Sequence, residues 1–369
     1  MGLNCGIVGL PNVGKTTIFS ALTSTPAETA NYMFSTIKPN IGIVNVPDER
    51  LDKIASIFKP KKVTPAVVEF VDIAGLTKGS SRGEGLGNKF LSHIRQVGVI
   101  AHVVRCFAND DIIHVSGKID PLSDIEVINI ELSLADLESV EKRKDKLEKQ
   151  LKATSKDGGK EVRAVIELLE KLQKELSDGK PARLLGFTEE QTALLKDLHL
   201  LTMKKQIYVC NVDEESLRTG SKYIDVVKEH AEKEGAVAIP ICGKLEAEIA
   251  LLETDQERKE FLKESGLEES GLVKLIHSGY NLLGLRTYFT AGDPEARAWT
   301  YDDGDKAPQA AAVIHTDFEK GFIRAEVYHY DDLMKYGTEQ KVKEAGKLRV
   351  EGKEYLVKDG DIMHFRFNV

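Results

Sequence analysis

With 369 residues, 41% hydrophobic and 30% charged, the chain has the balance of a soluble globular protein of two or three domains. A formal charge of −8 argues against wholesale coating of nucleic acid and leaves room for a local basic face. The longest apolar stretch, 97–104, is interrupted by Gly98 and His102, far short of the roughly 20 apolar residues a membrane span needs.

The opening MGLNCGIVGL lacks the basic region of a secretory signal and runs straight into structural sequence. Cys5, Cys106, Cys210 and Cys242 lie in or beside apolar runs at no metal-ligand spacing, which suits buried reduced thiols in a cytoplasmic protein. Strands are expected at 4–9, 41–46, 66–72 and 99–107, alternating with helical patterns as βαβ units of a mostly parallel sheet. The pattern returns at 206–211 and 236–241, followed by a helical stretch near Asn281.

Between these halves, 130–176 is rich in Glu, Lys and Leu. Leu134, Leu137, Val140, Leu147 and Leu151 share one helical face, and Val162, Ile166, Leu169, Leu172 and Leu176 repeat it after TSKDGG. Two such helices make an antiparallel hairpin or short coiled coil, packing its seam on itself or serving as a partner-binding arm. Thr188-Glu-Glu-Gln191 has the form of a capping box. From about Leu283, AAAVIHTDF, FIRAEVYHY, KLRVEG, KEYLVKDG and IMHFRFNV form β-like runs of a compact mixed unit.

The chemistry is concentrated near the N-terminus. GLPNVGKT, Gly9 to Thr16, fits G-x-x-x-x-G-K-[ST] between a strand and a helix, where a phosphate-binding loop belongs. Asn12, Val13 and Gly14 would turn backbone N–H groups toward phosphates, Lys15 would reach the β and γ oxygens, and Thr16 would offer its hydroxyl to Mg²⁺. Thr17 would add a contact one residue into the helix. In VEFVDIAG an apolar strand ends in Asp72, suited to the metal shell, with Gly75 placed to contact a γ-phosphate. Thr36, or less strongly Ser35, is the candidate second hydroxyl for Mg²⁺. After Gly75 stands Leu76, which makes no hydrogen bond, followed by a Gly-rich switch-like segment. Water activation must therefore come from elsewhere or be slow.

GLPNVGKT, TIKPN, DIAGLTKGSSRGEGLGNKFL, NDDIIHVSGKIDP and AAVIHTDFEKGFIRAEV with DGDIMHFRFNV resemble the YchF, or Obg-like ATPase, family over essentially the whole chain. The resemblance implies a Ras-like P-loop domain over 1–128 and 200–278, a helical insert over 129–199, and a β-grasp TGS domain over 279–369. It implies a cytoplasmic hydrolase of ATP, with GTP weaker, that acts as a slow switch on the ribosome, at the large subunit or intersubunit region. RNA contact through the insert and TGS domain would follow, with Arg286, Lys320, Arg324, Lys347, Arg349 and Lys353 as candidate contacts or merely a solvated surface. Through the resemblance His114 stands in for the missing water-orienting side chain, although a loop histidine bonded to the backbone is the plainer reading. Asn12 either binds K⁺, as in potassium-activated members of the class, or only shapes the loop.

The base edge is IYVCNVDEES, where guanine-binding proteins carry Asn-Lys-x-Asp. Here Asn211 is kept, Val212 replaces Lys, and Glu214 sits at the acid position, about 1.5 Å longer, one C–C bond. Guanine presents N1–H and N2–H₂ donors to a carboxylate, whereas adenine N1 is a lone pair that repels one. Asp213 reads as a turn acid. Cys242 and Gly243, in PICGK, would border the base. A conventional GTPase and a nucleotide-regulated ribosome- or RNA-binding module with negligible turnover remain the alternatives.

Overall fold

The computed structural model of the chain describes residues 4–24, 41–73, 86–109, 117–153 and 159–368. It opens with β1 (Asn4–Val8), α1 (Lys15–Thr23), β2 (Ile41–Asn45), α2 (Glu49–Phe58), β3 (Val63–Thr64) and β4 (Val67–Asp72). Next come α3 (Leu86–Gln96), β5 (Val99–Arg105), α4 (Pro121–Ala153), α5 (Gly159–Ser177) and α6 (Glu189–Leu195). Then follow β6 (Lys205–Asn211), α7 (Glu214–Thr219), α8 (Lys222–Lys233), β7 (Val237–Ile241), α9 (Gly243–Ala250), α10 (Asp255–Glu264) and α11 (Gly271–Leu282). β8 (Leu285–Ala291), β9 (Ala296–Asp302), α12 (Ala307–Ile314), α13 (Thr316–Lys320) and β10 (Phe322–His329) begin the last part. α14 (Tyr330–Tyr336), α15 (Glu339–Glu344), β11 (Arg349–Glu351) and β12 (Asp361–Phe367) complete it. No described helix is long and apolar enough to cross a membrane.

Two compact units emerge, where the sequence suggested three domains. One holds residues 4–24, 41–42 and the described part of 69–275; the other holds 43–68 and 276–368. The first is built on β4-β1-β5-β6-β7 of a six-stranded sheet ordered β2-β4-β1-β5-β6-β7. Pairings from β4 through β7 are parallel, and every residue of β5 is buried, as an apolar central strand covered on both faces requires. The chain leaves β1 for β4 on one side and then crosses to β5 on the other. That reversal opens a crevice at the carboxyl ends of the strands.

No helix breaker interrupts residues 121–153, so α4 begins eight residues before the expected insert boundary of 129. Its first turns belong to the sheet: Ile125 packs with Val104, Cys106, Tyr208 and Cys210. Further along, Val140 and Leu147 meet Leu168, Leu169, Leu172 and Leu176 of α5 in one apolar seam. Gly159 lies against Leu151, while Gln173 bonds Lys144 at 2.9 Å and Glu141 at 3.2 Å, so the two helices run antiparallel. The capping box at Thr188 forms through both of its hydrogen bonds.

The second unit carries another six-stranded sheet, ordered β11-β10-β12-β8-β9-β3. Its outermost strand comes from residues the sequence placed in the first domain. Val63 and Thr64 pair with Ala296 and Arg297, Thr64 donates to Glu295 at 2.6 Å, and Arg50 of α2 reaches Asp359 at 2.7 Å. The expected β-like run AAAVIHTDF is helical instead, spanning α12 and α13. Pro308 in its first turn and three buried alanines, Ala307, Ala310 and Ala311, favour a helix pressed closely on the sheet. KEYLVKDG also forms no strand; Leu356 makes only an isolated bridge to Lys306. β8 and β9, absent from the expectation, are antiparallel partners along their whole length.

All four cysteines are free and buried. His102 is fully buried, with neither ring nitrogen bonded among the described residues, its ring 5.8 Å from Tyr208. Around it, Glu234 accepts from Tyr208 and Arg183, both at 2.7 Å, and lies 3.4 Å from His230. Burial, helped by Arg183 and His230 and opposed by Glu234, lowers the imidazole to about 3. Below the ordinary value of 6.5 the unfolded chain therefore takes up a proton that the folded chain refuses. Stability should fall by about 1.4 kcal/mol per pH unit as pH drops from 6.5 toward 3. Glu234, whose burial is outweighed by His230, Arg183 and Tyr208, is held down to about 2 and adds its own loss in the lower part of that window. The slope of stability from urea unfolding should therefore be steeper in the parent protein than in His102→Leu by about 1.4 kcal/mol per pH unit.

Candidate nucleotide site

β1 delivers the chain into the loop Gly9–Gly14, and α1 begins at Lys15. The turn needs left-handed backbone at Asn12 (φ 63°) and Gly14 (φ 91°), which asparagine tolerates and glycine adopts freely. Gly14 is required a second time by space: a Cβ there would sit 2.0 Å from Asn211 Nδ2. Gly9 is equally confined, since its Cβ would lie 2.7 Å from the Val103 carbonyl oxygen. The loop therefore lies directly on β5 and on the end of β6. Thr16 and Thr17 are exposed at the head of α1, whose first N–H groups have no side-chain cap and form the anion-favouring end of a helix.

Asp72 ends β4, with its Cα opposite Ile7, so its carboxylate arrives beside the loop. There it forms an ion pair with the Lys15 ammonium. Both side chains are mostly covered. Thr16 and Asp72 thus offer a hydroxyl and a carboxylate, hard oxygen donors of the kind Mg²⁺ prefers.

Asn211 braces the segment expected to form the base edge. At the end of β6 its Nδ2 donates to the Val13 carbonyl at 2.8 Å, and its Oδ1 accepts from the Gly243 N–H at 3.1 Å. One amide therefore ties the phosphate loop to the turn between β7 and α9, while its second Nδ2 hydrogen remains for another acceptor. Asp213 is a turn acid: it caps α7 by accepting from the Ser216 N–H at 2.7 Å. Glu214, the first residue of α7, is half exposed and accepts from Lys244 at 3.0 Å.

Lys15, Thr16, Thr17, Asp72, Asn12, Val13, Gly14, Asn211 and Gly243 thus gather at the carboxyl ends of β1, β4 and β6 and the head of α9. The side chains of Val212 (3% exposed) and Cys242 (2%) are turned into the core between the sheet and α8, leaving only their main chains for a ligand. Thr36, Gly75 and His114 lie outside the described residues. Lys244, the last residue of PICGK, has no role of its own in that motif, and only its pairing with Glu214 across 30 positions marks it.

A parallel sheet, a phosphate loop at its switch point and an asparagine-braced base edge define a P-loop nucleotide-binding protein of the GTPase type. Two family models match: one described as 50S ribosome-binding GTPase over residues 4–156, and one described as YchF-GTPase_C, a protein of unknown function, over 285–368. A Bacillus subtilis protein named ribosome-binding ATPase YchF is 56% identical over all of both chains. Its namesake in Escherichia coli O157:H7 is 53% identical, again over all of both chains. A solved structure described as the Schizosaccharomyces pombe YchF GTPase superposes with a TM-score of 0.89 at 42% identity, covering 99% of this chain and 98% of that one. The chain belongs to the YchF family.

The amide brace gives a direct test. Asn211→Ala removes two buried hydrogen bonds and leaves the Gly243 N–H and Val13 carbonyl without that partner, a cost of about 1–3 kcal/mol. Chemical denaturation should show a loss of that size, and binding of a fluorescent nucleotide should weaken at least tenfold.

Proposed function

We propose that this protein is a Mg²⁺-dependent nucleoside-triphosphate hydrolase that prefers ATP to GTP, turns over slowly, and works as a nucleotide-controlled switch on the ribosome in the cytoplasm. The observation that carries the reading is the placement of Lys15, Asp72 and Asn211 around one glycine loop. Lys15 would exchange its carboxylate partner for the β and γ oxygens of a triphosphate, and N–H groups of the loop and the head of α1 would take up the remaining negative charge. Thr16 and Asp72, with Thr36, would hold Mg²⁺, which when bound neutralises phosphate charge. Gly75 would place its N–H at the γ-phosphate.

For the attacking water, Leu76 has no group to offer. His114 would orient it, an imidazole being able to accept a proton near neutral pH. The ATP preference is supported by three features: Glu214 in place of the shorter acid, the Val212 side chain buried in the core, and the ATPase names of the bacterial relatives. K⁺ beside Asn12, with the ribosomal large subunit or intersubunit region as docking place, belongs to the same reading. Any RNA contact through the second unit would fall to Lys320, Arg324, Lys347 or Lys353, because Arg286 is engaged by Asp303 at 3.1 Å and Arg349 by Tyr355 at 3.1 Å.

Competition titration of Mg-ATP against Mg-GTP is the test, combined with turnover and co-sedimentation with ribosomes. ATP should bind more tightly, be hydrolysed, and control ribosome association. Tighter binding of GTP would establish a conventional GTPase instead. In the same assay His114→Ala should reduce turnover strongly with nucleotide affinity nearly intact, and unchanged turnover would dispose of its role.

A further inference from the structure

Lys244 closes the PICGK segment expected to border the base, but neither the P-loop motif nor the base-edge motif gives its side chain a role. It is the second residue of α9, directly after Gly243, whose N–H is bonded to Asn211. Gly243 itself packs against Thr17 and Ile18 of α1, where a Cβ would meet Ile18 at 3.4 Å and Asn211 Oδ1 at 3.3 Å. The backbone that presents Lys244 is therefore fixed to the same amide that braces the phosphate loop. From there its ammonium donates to Glu214 at 3.0 Å and lies 3.9 Å from Glu248. The pair spans from the head of α9 to the head of α7, one strap across the two loops that flank Asn211.

The chemistry of the two purines gives this strap a consequence. Guanine is selected when one carboxylate accepts from N1–H and N2–H₂ together. An oxygen already accepting from an ammonium, with its charge neutralised, has less to offer those donors. Adenine presents the N1 lone pair at the same edge, which a bare carboxylate repels and a neutralised one tolerates. Both effects have the same sign. We propose that Lys244 is a base-selecting residue, which works by holding the Glu214 carboxylate away from guanine. This rests on the reading of the β6 end as the base edge. Lys244 is a positioning residue, since it acts through Glu214.

The pair is largely solvent-exposed, so its effect should be modest, about two- to fivefold. Mg-ATP and Mg-GTP affinities should be measured by competition on the full chain for the parent protein, Lys244→Met, Lys244→Arg, Glu214→Gln and the Lys244→Met/Glu214→Gln double variant, with thermal melting to verify folding. Lys244→Met should lower the ATP-over-GTP ratio about two- to fivefold, mainly through tighter GTP binding. Lys244→Arg, which keeps the charge and donors, should retain the parent ratio, and Glu214→Gln should cancel the gain in the Lys244→Met background. An unchanged ratio in Lys244→Met, or the same shift whether residue 214 is Glu or Gln, overturns the proposal. Asn211→Ala separates the two levels. If it weakens both nucleotides while the cycle is additive, only the role of Lys244 fails; if it changes neither affinity, the base edge itself is misassigned and the proposal falls with it.

Discussion

The two-ended hydrogen bond of Asn211 is the constraint on which the site depends. Phosphate loop and base loop reach the sheet from distant parts of the sequence, and one side-chain amide joins the Val13 carbonyl to the Gly243 N–H. Both bonds are buried, where an unpaired polar group is expensive. The brace also explains local sequence. Gly14 has no room for a side chain because Asn211 Nδ2 occupies it, and Gly243 lets the head of α9 approach the same amide. Lys15 inherits its position from the loop that this bond anchors, and there it meets Asp72, which the pairing of β4 with β1 delivers.

Around that brace, charge is arranged in pairs. Lys15 pairs with Asp72 beside the glycine loop, and Lys244 pairs with Glu214 between the heads of α9 and α7. The first pair is mostly covered and the second mostly exposed, and this difference sets what each can contribute. A covered pair beside a helix N-terminus exchanges partners with a polyanion at large gain, whereas an exposed pair biases a choice between similar ligands by a small factor.

Much of the first unit was legible because its signals are local. Parallel strands buried on both faces read as continuous apolar runs, and the expected 99–107 and 206–211 fall within two residues of β5 and β6. The phosphate loop is a spacing of eight residues, and Asp213 could be read as a turn acid from its place at a strand end. What failed is long-range. Nothing near Val63 announces a partner at Ala296, so β3 and α2 were assigned to the wrong unit. The run AAAVIHTDF was expected to be β-like, but close packing of Ala307, Ala310 and Ala311 favours a helix. Val212 matched a motif position, yet strand alternation turns its side chain into the core. Lys244 closes the PICGK segment, but nothing local names its partner Glu214, 30 positions away.

The central claim is that Lys15, Asp72 and Asn211 form one nucleoside-triphosphate site around a shared loop. A crystal structure of the protein with Mg²⁺ and a non-hydrolysable ATP analogue tests it most directly. In that complex Lys15 Nζ should have left Asp72 for the β and γ oxygens, Asp72 should face the metal, and both Asn211 bonds should persist with the remaining Nδ2 hydrogen directed to the base. A bound analogue with the Lys15–Asp72 pair intact, or with Asn211 detached from Val13 and Gly243, would contradict it.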